Sequence, residues 1–129
     1  MSAGRLRYSP RVLELFRTLP GAGALPAGTG EVVTGEAVAL DRGAWVRFEA
    51  RLEGGRVADC RFRAFGCPHT LAAAALAASK MVASVPADAP AIDARLLARE
   101  LEVPAEKLGR LLVVEDAIRA LLAERPRVQ

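Results

Sequence analysis

The chain contains few cysteine, histidine and aromatic residues, and these shortages exclude several kinds of protein. Its 129 residues include two cysteines, Cys60 and Cys67, and one histidine, His69, while aromatic residues supply only 5%. Two cysteines in a chain without an export signal are expected to be reduced thiols, so no disulfide framework is predicted. Because aromatic side chains are scarce, the core has to be built from leucine, valine, isoleucine and alanine.

Long apolar segments are also missing. The longest apolar run, residues 71–78, is mostly alanine, whereas a membrane span needs roughly 20 apolar residues. No membrane partner is therefore predicted. The first eight residues are polar and include Arg5 and Arg7, so no signal peptide is predicted and a cytoplasmic location is favoured. The length predicts one domain covering residues 1–129, which is large enough to bury its own core.

Positive charge is in excess but is not concentrated. The formal net charge is +3, and Lys80 and Lys107 are the only lysines, so the excess comes from arginines scattered along the chain. Nucleic-acid-binding segments combine basic blocks with aromatic side chains or a recognition helix. The chain has none of these patterns. Nucleic acid is therefore not expected as a partner, although other acidic partners fit the charge.

Apolar residues at every second position predict three antiparallel strands. The first strand is expected at residues 31–40. The second and third strands are expected to direct these side chains towards the core: Val46, Phe48, Ala50, Leu52, Ala58, Cys60, Phe62 and Ala64. The alternate residues, which include Arg51 and Val57, are expected on the other face. Turns are predicted at residues 41–43 and 54–55, where glycines occur.

Helices are predicted before and after these strands. Ser9 and Pro10 indicate the start of a first helix that ends near Pro20. A second helix is expected from Pro68 to residue 85, and a third is expected from Asp93 to residue 101. A last helix follows Val103-Pro104, includes Leu108 and Leu111, and runs to about residue 124. Because a small sheet with one apolar face needs a cover, the predicted fold is α+β, a three-stranded antiparallel sheet covered by helices.

Cys67 occupies the position with the clearest chemical potential. It lies between the third strand and the helix that begins at Pro68. Unpaired amides and the helix dipole at such a position stabilise a thiolate and lower the thiol pKa. A buried cysteine that acts only as a small apolar side chain fits the same pattern equally well. Both interpretations remain open at this point.

Cys60 and His69 are weaker candidates. Cys60 has the parity of a core residue, and an extended chain of about 3.3 Å per residue puts it about 20 Å from Cys67, too far to share a metal or a disulfide. His69 lies in the first helical turn, where a solvated or capping histidine is favoured over a metal ligand. Cys67 and His69 alone would form an incomplete metal site, because zinc or an iron-sulfur cluster takes about four ligands. A partner or a second copy would have to supply the others.

Several segments resemble the iron-sulfur cluster assembly scaffold family of the IscU and NifU N-terminal type. They are Tyr8-Ser-Pro-Arg-Val12, the segment Arg-Phe-Arg-Ala-Phe-Gly-Cys that ends at Cys67, Val103-Pro-Ala-Glu-Lys-Leu108 and Val114-Glu-Asp-Ala-Ile118. The resemblance implies a three-stranded sheet covered by helices, an iron-sulfur cluster or iron as cofactor, and a scaffold instead of a turnover enzyme. It also implies a cysteine desulfurase as partner, a chaperone or acceptor apoprotein, and a homodimer as an option.

The ligand set of that family is incomplete in this chain. The family holds its cluster with three cysteines, aided by an aspartate and a histidine. The first cysteine and the aspartate correspond to Arg42 and Ala44, and the histidine-cysteine pair corresponds to Gly109 and Arg110. Cys67 alone remains as sulfur acceptor and partial metal ligand, with His69 as a weak addition. The two arginines are expected to repel iron and to favour a thiolate or an anionic ligand, and the cofactor is either held through Cys67 or absent from this member.

Two functions are consistent with this resemblance. In the first, Cys67 accepts sulfur as a persulfide, as in the related SufE-type proteins, or contributes one ligand to a transient cluster. In the second, the chain is a docking or regulatory relative of the scaffold that binds cysteine desulfurase without holding a cluster. An unrelated thiol enzyme that uses Cys67 and His69 is disfavoured, because no third group is available to orient the base.

Overall fold

The computed structural model describes residues 8–124, which form one helix, three strands and three further helices. The helices are α1 (Pro10–Thr18), α2 (Pro68–Met81), α3 (Ala94–Leu101) and α4 (Leu112–Glu124); the strands are β1 (Glu31–Ala39), β2 (Ala44–Glu53) and β3 (Arg56–Phe65). Short 3-10 segments span Leu40–Arg42, Pro86–Ala91 and Ala105–Leu111. The expectation about a signal peptide depends on Arg5 and Arg7, which lie outside the described residues. Within residues 8–124 no helix is long and apolar enough to cross a membrane.

The strands form the predicted antiparallel meander in the order β1-β2-β3. In the middle of the sheet, Gly35 of β1 lies opposite Phe48 of β2, which in turn lies opposite Phe62 of β3. Both phenylalanines are buried, at 0% and 2% exposure. One face of the sheet therefore carries the core, and the helices α2 and α4 pack on it. The predicted α+β fold is confirmed.

A register shift between Arg51 and Leu52 overturns part of the predicted alternation. Arg51 was expected in water and Leu52 in the core, but Arg51 is 9% exposed and Leu52 is half-buried. Val57, on the paired strand, is buried for the same reason. The guanidinium of Arg51 donates to the carbonyl oxygens of Pro26 and, at 3.1 Å, of Gly28. Its charge is therefore buried with hydrogen-bond partners, as a buried charge requires.

The caps of two helices confirm the predicted helix starts. The hydroxyl of Ser9 accepts a hydrogen bond from the amide of Val12 at 3.1 Å, and Pro10 is the first residue of α1. Asp93 accepts from the amide of Leu96 at 2.9 Å. Both contacts satisfy amides that a helix N-terminus leaves without a partner.

Two predicted helix boundaries are wrong. The second helix ends at Met81 instead of residue 85, because the chain turns back onto β3: the amide of Ala83 donates to the carbonyl of Val57 at 2.7 Å. The last α-helix begins at Leu112, so Leu108 and Leu111, which are predicted within it, precede it. The carbonyl oxygen of Gly109 accepts hydrogen bonds from the backbone amide of Leu112 and from the side chain of Arg42. Glycine itself also disfavours an α-helix. The segment before α4 is therefore a 3-10 helix.

Helix α2 is the centre of the core. Its seven consecutive residues 72–78 are between 0% and 5% exposed, and it contacts every other α-helix of the described chain as well as β2 and β3. Small alanine side chains permit this approach from all sides. Cys67 is its N-cap residue, so the most enclosed helix of the fold supports the candidate site.

Candidate functional site around Cys67

A small cavity lies where the N-terminus of α2 meets the turn before β2 and the 3-10 segment before α4. Its lining consists of Ala39, Arg42, Ala44, Cys67, Thr70, Gly109, Arg110 and Val113. The four positions that the resemblance assigns to missing family ligands thus line the same cavity as Cys67. The cavity measures about 10 Å³, which is space for roughly one water molecule.

The backbone before α2 brings Cys67 into this cavity. Gly66 has a φ of +151°, a conformation that side chains other than glycine's rarely adopt. A Cβ at this position would also lie 3.2 Å from Cβ of Thr70 and 3.3 Å from Cβ of Ala44. Glycine therefore permits both the turn from β3 into α2 and the close approach of β2 to the helix start.

The hydroxyl of Thr70 lies close to the Cys67 sulfur. Its Oγ1 lies 3.7 Å from Sγ and also donates to the carbonyl of Arg110 at 3.3 Å. A hydroxyl carries one proton, so Thr70 donates either to the carbonyl or to a Cys67 thiolate. The residue is buried at 2% exposure. It connects the start of α2 to the segment before α4.

Several groups stabilise the ionised form of Cys67. Burial raises the pKa of this thiol, but the backbone amide and hydroxyl of Thr70, the side chain of Arg110 and the backbone amide of His69 together outweigh burial. The net pKa of Cys67 is therefore below its usual value. The physical cause is hydrogen bonding and positive charge directed at the sulfur, as expected of a cysteine at a helix N-terminus.

Arg42 and Gly109 hold the opposite wall of the cavity together. Nη1 of Arg42 donates to the carbonyl oxygen of Gly109 at 2.8 Å. A Cβ on Gly109 would lie 3.1 Å from both terminal nitrogens of Arg42, so the glycine leaves room for the guanidinium. Ala44, which the resemblance assigns to the position of an aspartate, is buried and offers no ligand atom.

His69 is placed differently from the expectation. A solvated or capping histidine was favoured, but His69 is 3% exposed, and its Nε2 has no hydrogen-bond partner in residues 8–124. Its ring packs against Tyr8, with centroids 4.8 Å apart. Burial, then the charges of Arg110 and Lys107, lower its pKa. The prediction of a solvent-exposed histidine is wrong because Tyr8 covers the ring, and His69 does not line the cavity.

Cys60 lies in the core, as predicted. It is 3% exposed, and burial, followed by the charge of Asp59, raises its pKa to about 12 despite the nearby Arg61. No disulfide links it to Cys67, since both cysteines are free. Such a thiol is unreactive near neutral pH.

The residues present do not fit an iron-sulfur cluster. No group of three or more histidine, cysteine, aspartate or glutamate side chains with metal-binding proximity occurs between residues 8 and 124. A cluster is held mainly by cysteine thiolates, and the cavity contributes one thiol and two guanidinium groups. No chemical step through a cluster is derived for this chain.

Sequence reasoning missed Thr70. It stands three residues after the N-cap Cys67, the spacing at which cap and third helical residue exchange hydrogen bonds. That spacing would have identified it. No comparable spacing predicted that Ala39 and Val113 line the cavity, because only the packing of β1 and α4 brings them there.

Comparison with known proteins indicates the class of protein to which this chain belongs. The sequence profile of the NifU-like N terminal domain matches residues 7–127. The iron-sulfur cluster assembly scaffold protein IscU of Azotobacter vinelandii is 28% identical over 120 residues, which cover 92% of this chain and 94% of that protein. This places the chain in the class of iron-sulfur cluster assembly scaffolds.

Solved structures agree on the fold. A protein of Fervidobacterium islandicum AW-1, assigned as a scaffold of the SUF system, has a TM-score of 0.72 at 13% identity, covering 93% of this chain and 99% of its own. The N-terminal part of a NifU-like protein from Brucella abortus has a TM-score of 0.68 at 17% identity, covering 95% and 96%. The chain belongs to the NifU-like N-terminal domain family, and the resemblance drawn from its motifs is confirmed.

Proposed function

We propose that this chain is a sulfur carrier of the iron-sulfur assembly pathway, in which Cys67 accepts sulfur as a persulfide. The observation that supports the proposal is the lining of the cavity, in which Cys67 lies with Arg42 and Arg110. The resemblance assigns these two arginines to the positions of the family's other cysteines. Arginine does not ligate iron cations but stabilises anions. A persulfide ends in a negatively charged sulfur, whereas a cluster needs further thiolates.

The transfer needs no oxidant or reductant. The Cys67 thiolate attacks the outer sulfur of a persulfide on the donor, a cysteine desulfurase. A new sulfur-sulfur bond forms at Sγ while the donor's sulfur-sulfur bond breaks, and the electron pair leaves with the donor's thiolate. This is thiol exchange chemistry, which requires the attacking group to be ionised. The lowered pKa of Cys67 increases the ionised fraction at neutral pH.

The cavity suits one added sulfur atom. Its volume of about 10 Å³ accommodates a single water-sized group. The Thr70 hydroxyl and the Arg110 side chain already lower the pKa of Cys67, and they are close enough to stabilise the anionic outer sulfur in the same way. In this proposal the protein carries sulfur between partners and is not itself a turnover enzyme; the expected setting is the reducing cytoplasm.

The test is anaerobic native mass spectrometry after mixing the protein with iron, cysteine and a cysteine desulfurase. Wild type is expected to gain the mass of one sulfur atom, which dithiothreitol removes. Cys67→Ser is expected to gain none, and the matched variant Cys60→Ala is expected to gain sulfur normally because Cys60 is buried. Full sulfur acceptance by Cys67→Ser would refute the carrier. A mass gain of iron together with sulfide would instead indicate a surviving scaffold.

A docking or regulatory protein is the second candidate, and an exposed apolar row favours it. Val38, Trp45 and Phe65 lie side by side across the three strands, on the face that the helices leave open. Phe65 is 58% and Val38 is 53% exposed, and the Trp45 and Phe65 rings are 5.7 Å apart. Contiguous exposed apolar side chains often mark an interaction site. An unmodified mass combined with a stable desulfurase complex would favour this candidate.

A further inference from the structure

The cavity at Cys67 has a positively charged lining without acidic side chains. Arg42 and Arg110 line it together with Cys67, and no carboxylate is among the lining residues. Neither arginine forms an ion pair within residues 8–124, whereas Arg47, Arg61 and others on the surface do. Two unpaired guanidinium groups beside a nucleophilic sulfur favour a ligand that brings its own negative charge.

The two arginines are held in place by the backbone and not by acids. Arg42 uses one nitrogen for the carbonyl of Gly109 at 2.8 Å, and a guanidinium has five N–H donors. The carbonyl of Arg110 accepts from Thr70 at 3.3 Å, which fixes the backbone from which its side chain reaches towards Cys67. Most N–H donors of both groups thus remain available at the mouth of the cavity.

We propose that Cys67 accepts sulfur directly from a small anionic sulfane-sulfur compound of the thiosulfate type. The inference rests on the proposed function, since it requires Cys67 to carry a persulfide. Arg42 and Arg110 bind the sulfonate oxygens at the cavity mouth. The outer sulfur enters the cavity, whose size of about 10 Å³ admits one such atom.

The reaction is balanced without a further reagent. The Cys67 thiolate attacks the outer sulfur of thiosulfate, and a sulfur-sulfur bond forms at Sγ. The bond between the two sulfur atoms of thiosulfate breaks, and sulfite leaves with its electron pair. Charge is conserved, no proton is transferred, and the products are the Cys67 persulfide anion and sulfite. The positive charges of the arginines offset the electrostatic repulsion between the thiosulfate dianion and the Cys67 thiolate.

The experiment incubates the reduced full-length protein with thiosulfate, without desulfurase, and measures released sulfite and the persulfide on Cys67. Wild type is expected to release one sulfite per persulfide formed. Arg42→Gln is the informative variant, because Arg42 is not among the groups that lower the pKa of Cys67. Its rate with thiosulfate is expected to fall about tenfold or more, the loss typical of one charge-assisted hydrogen bond. Arg42→Lys is expected to recover part of that loss.

Two controls separate anion binding from thiol reactivity and from folding. Alkylation of Cys67 by uncharged iodoacetamide is expected to change less than about twofold in Arg42→Gln, since it depends on the thiolate fraction alone. Arg17→Gln, an exposed arginine on α1, is expected to react with thiosulfate like wild type. Melting curves verify that each variant is folded.

The outcomes distinguish the two proposals. Sulfur acceptance from desulfurase with no reaction with thiosulfate would overturn this inference and leave the proposed function intact. Acceptance from neither donor would overturn both. A wild-type rate for Arg42→Gln with thiosulfate would overturn the assignment of anion binding to the arginines.

Discussion

Gly35 is expected to be one of the least replaceable residues of this fold. A Cβ at Gly35 would overlap the amide nitrogen and Cα of Leu121 and would lie 2.6 Å from the carbonyl oxygen of Ala117. All three are backbone atoms of α4, so no side-chain rotation relieves the overlap. In Gly35→Ala the helix must retreat from β1 by about an ångström, which loosens the packing of its buried residues. Forced insertion into a packed core costs about 1 to 3 kcal/mol, and the rigid neighbours put this case at or above about 3 kcal/mol.

That loss is large against a total stability of about 5 to 15 kcal/mol. For a chain of this size it corresponds to a fall in melting temperature of roughly 10 °C, measurable by far-ultraviolet circular dichroism and by urea titration. The matched control is Gly54→Ala, where φ is +59° and no atom lies within 4 Å of the added Cβ. It isolates backbone strain and is expected to cost about 1 to 2 kcal/mol. Equal melting temperatures for wild type and Gly35→Ala would refute the close contact of α4 with β1.

Two further predictions concern titration. Alkylation of the folded protein is expected to modify Cys67 with a midpoint pH below that of an ordinary thiol and to spare Cys60, whose pKa is about 12. In Thr70→Val the midpoint for Cys67 is expected to shift to higher pH, because a hydrogen-bond donor to the thiolate is lost. Peptide mass mapping across pH measures both effects, and equal labelling of the two cysteines would contradict the prediction. Burial lowers the folded-state pKa of His69 below its usual value of 6.5. The stability that the neutral ring contributes is therefore complete above that pH and falls as the pH drops below it. His69→Leu is expected to flatten the dependence of unfolding free energy on pH between about 7 and 5, and an unchanged slope would count against the burial of His69.

Local patterns predicted the elements of the fold, because the information for them is local. The period-two alternation through Phe48 and Phe62 and the cap residues Ser9 and Asp93 act over a few positions. The errors occurred where distant contacts decide. The register shift at Arg51 depends on carbonyls of the preceding loop. No pattern in β1 indicated that position 35 requires glycine, because the requirement comes from the close packing of α4 against this residue.

The candidate site was predicted in part for the same reason. The motif before Cys67 and its place at a helix start were visible in the sequence, and the family correspondence named the other positions. The burial of His69 was not visible in the sequence, because it depends on contact with Tyr8, which is about sixty residues away in the chain. The roles of Cys67, His69, Arg42, Ala44, Gly109 and Arg110, and the extent of the domain over residues 1–129, stay predictions.

The enclosed position of α2 also has a consequence for hydrogen exchange. Amides in residues 72–78 lie at the centre of the packing and are expected to exchange only when the whole protein unfolds. The turn that carries Arg42 is exposed and the 3-10 segment that carries Arg110 is partly exposed, so both are expected to open at lower cost than the helix. Cys67 caps this helix, while the charged groups around it belong to two segments outside the helix. Local opening of these two segments is therefore expected to expose Cys67 without unfolding of the helix that it caps.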